Sequence, residues 1–150
     1  MSVWKPAVTV AAIIEREGRF LFVEEEADGR RVLNQPAGHL DPGESLLAAV
    51  AREVLEETAH RFTPTALLGI YRWHYAPQDV TFLRFAFCGE ALETEPGRAL
   101  DPEILAVHWF TPQALSARRT MHRSPLVERC VADYLAGKRF PLEALSREFA

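Results

Sequence analysis

The sequence predicts an α/β (α+β) fold in which a mixed β-sheet is sandwiched between α-helices. Two observations carry this expectation. Segments rich in Val, Ile, Thr and aromatics come first and return after one amphipathic helical segment, and helical segments finish the chain. That order fits neither a helical bundle nor an all-β sandwich. The chain has 150 residues, which suits a single domain spanning 1–150.

Taken in order, Val8 to Ile14 reads as a mostly buried strand, and Phe20 to Val23 as a second. The Glu17-Gly18-Arg19 turn joins them as a hairpin. Glu24 to Arg31 is polar, carries Asp28-Gly29 and reads as a loop. Asn34 to Gly43 holds Pro36, Gly38, Pro42 and Gly43, too many punctuators for a regular element. A helix follows, capped by Ser45, with Leu46, Leu47, Val50 and Val54 at helical spacing up to Thr58; Pro64 closes its exit. Leu67 to Tyr75 and Thr81 to Gly89 are strands separated by Pro77-Gln78-Asp79. Glu93 to Pro102 is a loop and Ile104 to Phe110 a strand. Thr111-Pro112 opens a short helix, Leu126 to Leu135 forms another, and a last short one follows Pro141.

Hydrophobic residues make up 48% and charged residues 25%, a globular balance that excludes a disordered chain or a fibre. The net charge of −4 argues against a groove that grips a nucleic-acid polymer, since such binding needs clustered Lys and Arg. No membrane-length apolar run or leader-like start is present, and Cys88 and Cys130 belong to no CxxC pair. The expectation is a cytoplasmic monomer with reduced thiols. His74, His108 and His122 have no zinc-ligand spacing.

The central helix carries the chemistry. At about 100° per residue, Glu57 falls inside the apolar arc, Glu53 at its edge and Glu56 just outside it. Three carboxylates at i, i+3 and i+4 repel one another, and a carboxylate beside packed aliphatics is costly unless compensated. Arg52 alone cannot neutralise three acids. A hard divalent cation would, since Mg²⁺ takes oxygen ligands; on spacing alone, a salt-bridged surface stays open beside it. Gly38 and Gly43 allow a tight loop near this helix, and Glu44 sits at its entrance, where the helix dipole favours an acid.

Gly38, Glu44, Arg52-Glu53-Val54 and Glu56-Glu57 reproduce the spacing of the Nudix box, GX5EX7REUXEEXGU with U aliphatic, over about residues 38–60. By this pattern the chain resembles the Nudix hydrolases. Asn34-Gln35-Pro36-Ala37-Gly38-His39-Leu40, Phe82-Leu83-Arg84-Phe85 and Arg123-Ser124-Pro125-Leu126-Val127 extend the resemblance to a bacterial phosphatase branch acting on nucleotides and on thiamine-pathway diphosphates. It runs from Pro6 to about Leu145. Ala59 and His60 stand where the family has Gly and an aliphatic residue; the helix is expected to run slightly longer, or His60 to help stop it. His60 as an extra ligand or as a structural histidine are both open.

The resemblance implies a Nudix fold and Mg²⁺-dependent hydrolysis of a phosphoanhydride in a small diphosphate or triphosphate, with Mn²⁺ as a substitute. The substrates it implies are nucleoside di- and triphosphates and thiamine or hydroxymethylpyrimidine diphosphate. It implies that Glu53 and Glu57 hold metal, with Glu56 and the Gly38 carbonyl sharing ions, and that Arg52 orients Glu44 and the glutamates. Glu56 and Glu103 are the candidate bases. Arg84, Arg123 and His39 are candidate phosphate contacts, and Trp73, Tyr75, Phe82 and Phe85 candidate ring contacts. A pyrophosphohydrolase releasing pyrophosphate and a non-catalytic nucleotide sensor are the alternatives.

Overall fold

The computed structural model describes residues 2–146. β1 (Ala7–Ile13) is buried from Val10 onward and takes partners on both edges. It pairs antiparallel with β5 (Ala37–His39), Val10 opposite Gly38. On its other edge it runs parallel to β7 (Val80–Thr94), Thr9 opposite Arg84. β6 (His60–Tyr75) completes this mixed sheet in the order β5-β1-β7-β6. A second, antiparallel sheet joins β2 (Glu15–Arg16), β3 (Arg19–Ala27), β4 (Arg30–Asn34) and β8 (Ile104–Phe110). The expected pairing of the first two strands is therefore replaced. Only β2 turns back on β3, because β1, packed on both faces, is claimed by the mixed sheet.

Helix α1 (Leu46–Thr58) covers one face. Val50 and Val54 meet Val10, Ala12 and Phe87. On the opposite face α2 (Pro112–Ser116) and α3 (Leu126–Leu135) deliver Leu115, Val127, Cys130 and Val131 to Ile13, Phe22, Ala86 and Cys88. This is the sandwich expected from the element order. Strand alternation sorts the residues: Phe85 and Phe87 face α1, whereas Arg84, Ala86 and Cys88 face away from it. Both cysteines are free and buried. No helix among the described residues is long and apolar enough to cross a membrane.

Three punctuated stretches turn out regular. The Glu24 to Arg31 loop is a hairpin, Ala27 opposite Arg30, turning on Asp28 and Gly29 at φ 51° and 71°. Positive φ at both central residues matches the strand twist, so a short polar pair makes a stiff turn. Asn34 to Gly43 includes the end of β4 and all of β5. Pro64 does not end the helix region with a loop; β6 begins at His60 and carries Pro64 at an irregularity in the ladder, where a missing N–H is tolerated.

Helix α1 stops at Thr58 and runs no further. Ala59 takes the left-handed conformation at φ 62° and donates its N–H to the Leu55 carbonyl, as the family glycine would. His60 helps in the stop only through its backbone N–H, which donates to Thr58 Oγ1 at 3.2 Å. Its Nδ1 donates to the Leu92 carbonyl oxygen at 2.9 Å and its ring meets Trp109 edge-on, so the imidazole is a brace.

Candidate active site

Ser45 starts α1 by accepting the Ala48 N–H on its Oγ at 3.0 Å. With Val50 and Val54 locked in the core, the helix cannot rotate, and this directs Glu53 and Glu57 at the β5 loop. Both are buried, at 8% and 4% exposure. Gly38 lies so close that a Cβ there would stand 2.1 Å from the Glu53 carboxyl carbon. Only glycine lets the loop backbone approach the acid this closely.

Arg52 organises the neighbouring acids. Its Nε and Nη2 grip Glu44 at 3.0 and 2.6 Å, and Nη1 reaches Glu53 and Glu56 at 2.8 Å each. Nη2 also donates to the His39 carbonyl at 3.0 Å, tying the loop to the helix. The guanidinium holds the Glu44 carboxyl below its ordinary range, and the acids in turn raise Arg52.

Glu57 gets less help. It accepts one N–H, from Ala37 at 2.9 Å. Burial pushes it up to about 9, with Glu25, Glu53 and Asp101 adding repulsion. Burial likewise pushes Glu53 up to about 7, against the pull of Arg52. Asp101, from the loop before β8, brings a carboxylate oxygen within 4.8 Å of those of Glu53 and Glu57. It too is raised, by burial and then by Glu56 and Glu103. Two buried carboxylates and a half-buried one, mutually repulsive, are a donor set that a hard divalent cation fits.

These carboxylates open on a cavity of about 420 Å³ between the β3–β4 hairpin and the mixed sheet. That is the scale of a small-ligand site. Arg84 lies in it at 6% exposure, with Nη1 donating to Gln35 Oε1 at 3.0 Å and Nη2 to Asn34 Oδ1 at 2.9 Å. Among the described residues no carboxylate meets this guanidinium, so a buried cation is held by neutral groups alone. Arg123 also lines the cavity and pairs with the buried Glu25 at 2.6 Å. The β3–β8 ladder shifts register between Glu24 and Glu25, the kind of bulge that re-aims a side chain.

The expected residues divide accordingly. Gly38, His39, Glu53, Glu57, Arg84, Glu103 and Arg123 line the cavity, whereas Glu44 and Glu56 lie behind, in the grip of Arg52. Glu103 is exposed at the edge. Trp73, Tyr75 and Phe82 form one wall with His39, Trp73 and Phe82 being stacked at 5.7 Å. Phe85 is not part of it: strand alternation turns it into the core under α1. Asp101, Glu25, Asn34 and Gln35 join the site without any role that residue spacing assigns them. The loop and hairpin that bring the two acids here have no periodic signal, and Asn34-Gln35 is marked only by resemblance.

A family model described as NUDIX domain matches residues 3–130. Phosphatase NudJ from Escherichia coli (strain K12) is 39% identical over 142 residues, which cover 95% of this chain and 92% of NudJ. A NUDIX hydrolase from Nitrosomonas europaea of solved structure shares 51% identity and a TM-score of 0.93, over 95% of this chain and 97% of that one. A MutT NUDIX hydrolase from Burkholderia pseudomallei shares the fold, at 23% identity and TM-score 0.74 over 87% of this chain and 98% of that one. A helix of buried acids against a glycine loop is thus matched by a family model covering most of the chain, and the protein belongs to the Nudix hydrolases.

Proposed function

We propose that this enzyme hydrolyses a phosphoanhydride bond in small diphosphates and triphosphates with Mg²⁺, releasing terminal phosphate. Its substrates on this reading are nucleoside di- and triphosphates and thiamine or hydroxymethylpyrimidine diphosphate. One observation carries the reading: a cluster of crowded acids, Glu57 among them with a single backbone N–H, shares one cavity with a buried arginine that no described carboxylate meets. The acids suit a hard cation, and the arginine suits an anion that arrives with the substrate.

Glu53, Glu57 and Asp101 would hold Mg²⁺ with the Gly38 carbonyl, and Mn²⁺ would substitute. Bound there, the ion supplies charge neutralisation of phosphate oxygens and a lowered pKa for water. Glu56 shares in the same ion cluster from behind, steadied by Arg52, which also keeps Glu44 at the helix entrance. Glu103 lines the cavity and makes no ion pair among the described residues, which makes it the preferred base over Glu56. Glu103 accepts a proton from the attacking water, the water oxygen bonds to phosphorus, and the bridging P–O bond breaks. The leaving group takes its proton from solvent. Arg84 and Arg123 bind phosphate oxygens, with His39 beside them at the loop. Two buried free thiols suit a reducing, cytoplasmic setting.

Phosphate release from a panel of diphosphates with Mg²⁺ tests the reading; no release from any of them overturns it. With a nucleoside triphosphate, phosphorus NMR of products made in ¹⁸O-water identifies the attacked phosphorus, and release of pyrophosphate in place of phosphate would favour the pyrophosphohydrolase instead.

A further inference from the structure

We propose that Gln35 and Asn34 are positioning residues for the reaction: through uncharged oxygens they fix the Arg84 guanidinium in the cavity and leave its charge to a substrate phosphate. The inference rests on the functional reading above for Arg84 as a phosphate contact. Gln35 is 1% exposed, and its Nε2 donates to the Val127 carbonyl of α3 at 2.8 Å. A carbonyl only accepts, so this bond decides which way the amide faces and turns Oε1 to Arg84 Nη1. Asn34, the last residue of β4, takes Nη2 on Oδ1. Cys130 Sγ lies 3.8 Å from Nη1, and burial pushes its thiol up, so that contact is neutral as well.

These contacts grip one part of the guanidinium and spare another. Nε makes no hydrogen bond among the described residues, and Nη2 has a second hydrogen beyond the one on Asn34. A planar guanidinium with those donors left can take two oxygens of one phosphate. Arg123, which lines the same cavity, is paired with Glu25 instead. A carboxylate at position 34 or 35 would also fix the fork and would stabilise the buried cation, but its charge would oppose an entering anion. The hold is itself anchored. Pro36, next along, accepts the Ala12 N–H at 2.9 Å, so the segment is tied to α3 on one side and to β1 on the other. Asn34 lines the cavity and Gln35 does not, so Gln35 acts on a ligand through Arg84.

The test measures calorimetric affinity of the full chain, with Mg²⁺, for the methylene-bridged analogue of adenosine diphosphate, which is not turned over. Gln35→Met keeps the bulk and removes the amide; it should weaken binding about tenfold, and Arg84→Gln at least as much. In the Arg84→Gln background, Gln35→Met should then cost less than about twofold, because its effect passes through the arginine. Equal losses in both backgrounds indicate a merely structural residue and overturn the proposal, as does Arg84→Gln binding within twofold of wild type. Asn34→Asp keeps the acceptor on Nη2 and adds a charge, so it also reads the proposal should Gln35→Met not fold. It should melt no lower than wild type yet bind the analogue about tenfold more weakly; affinity within twofold overturns the proposal. Under turnover of adenosine diphosphate, both variants should raise KM by more than they lower kcat. Weakened affinity with no phosphate release from any diphosphate sinks the catalytic reading and leaves the hold on Arg84 standing; unchanged affinity sinks the hold whatever the turnover.

Discussion

Two helices bury an acid, and they treat it in opposite ways. On α3, Asp133 is 7% exposed, yet it is surrounded by donors: Tyr71 at 2.7 Å, Arg129 at 3.1 Å and Lys138 at 3.2 Å. Burial alone would raise it, but these bonds outweigh burial and hold it below its ordinary range. On α1, Glu57 is buried as deeply, has one backbone N–H, and is pushed up to about 9. A structural acid is neutralised by its own protein. An acid left with so little compensation suits a charge that comes from outside, as the proposed metal would be, and this contrast in partners separates the two helices.

The largest break of this contrast comes from removing each charge. Glu57→Gln should cut kcat by roughly a thousandfold, since losing several kcal/mol of metal-assisted stabilisation has that size. Without metal, at pH 7, the same variant should melt no lower than wild type. Asp133→Asn should do the reverse, leaving kcat within about twofold and costing about 1–3 kcal/mol by leaving donors around Asp133 unpaired. Steady-state kinetics and calorimetric melting of both variants check the pair.

Next in size is Gly38→Ala. The added methyl overlaps the Glu53 carboxyl and must displace it, and on the scale of a misplacement near 1 Å this should cost on the order of a hundredfold in kcat. A crystal structure of the variant should show the Glu53 carboxyl moved off the loop.

The metal-free protein should also respond to pH with a definite sign. Glu57 ordinarily titrates near 4.5 but at about 9 in the fold, and Glu53 at about 7. Between those values the native state binds protons that the unfolded state has released, so stability falls as pH rises. The contribution is complete below about 4.5 and is lost as pH climbs through 7 toward 9. In EDTA the melting temperature should therefore decline from pH 5 to pH 9. Saturating Mg²⁺ should flatten or reverse that slope, because it binds the carboxylates.

The smallest effect concerns the end of α1. Ala59 holds φ 62°, so Ala59→Gly should stabilise the fold by about 0.5–1 kcal/mol and leave kcat unchanged. Denaturant melts at pH 7 check it.

Much of the site is legible in the sequence because it is local. Glu44, Arg52, Glu53, Glu56 and Glu57 lie on one helix or at its entrance, so spacing alone brings them together, and helical periodicity turns Glu57 inward. β1, β7 and the Leu67–Tyr75 part of β6 are legible for a similar reason, as runs of Val, Ile, Leu and aromatics, whereas β5 is not. The β3–β4 hairpin is not: Glu24 to Arg31 is polar, and its regularity comes from pairing with β8 and β4, not from composition. Likewise Pro64 reads as a breaker until β7 supplies a partner for the strand around it.

What the sequence by itself determined is the acidic face of α1 and the family to which it points, since helix geometry converts residue spacing directly into a shared face. Only tertiary structure decided that Asp101 joins those acids, that Arg84 shares their cavity in the hold of Asn34 and Gln35, and that Asp28 bridges two sheets. Each of these juxtapositions spans separate elements, and their distances follow from sheet register and packing that no local pattern encodes.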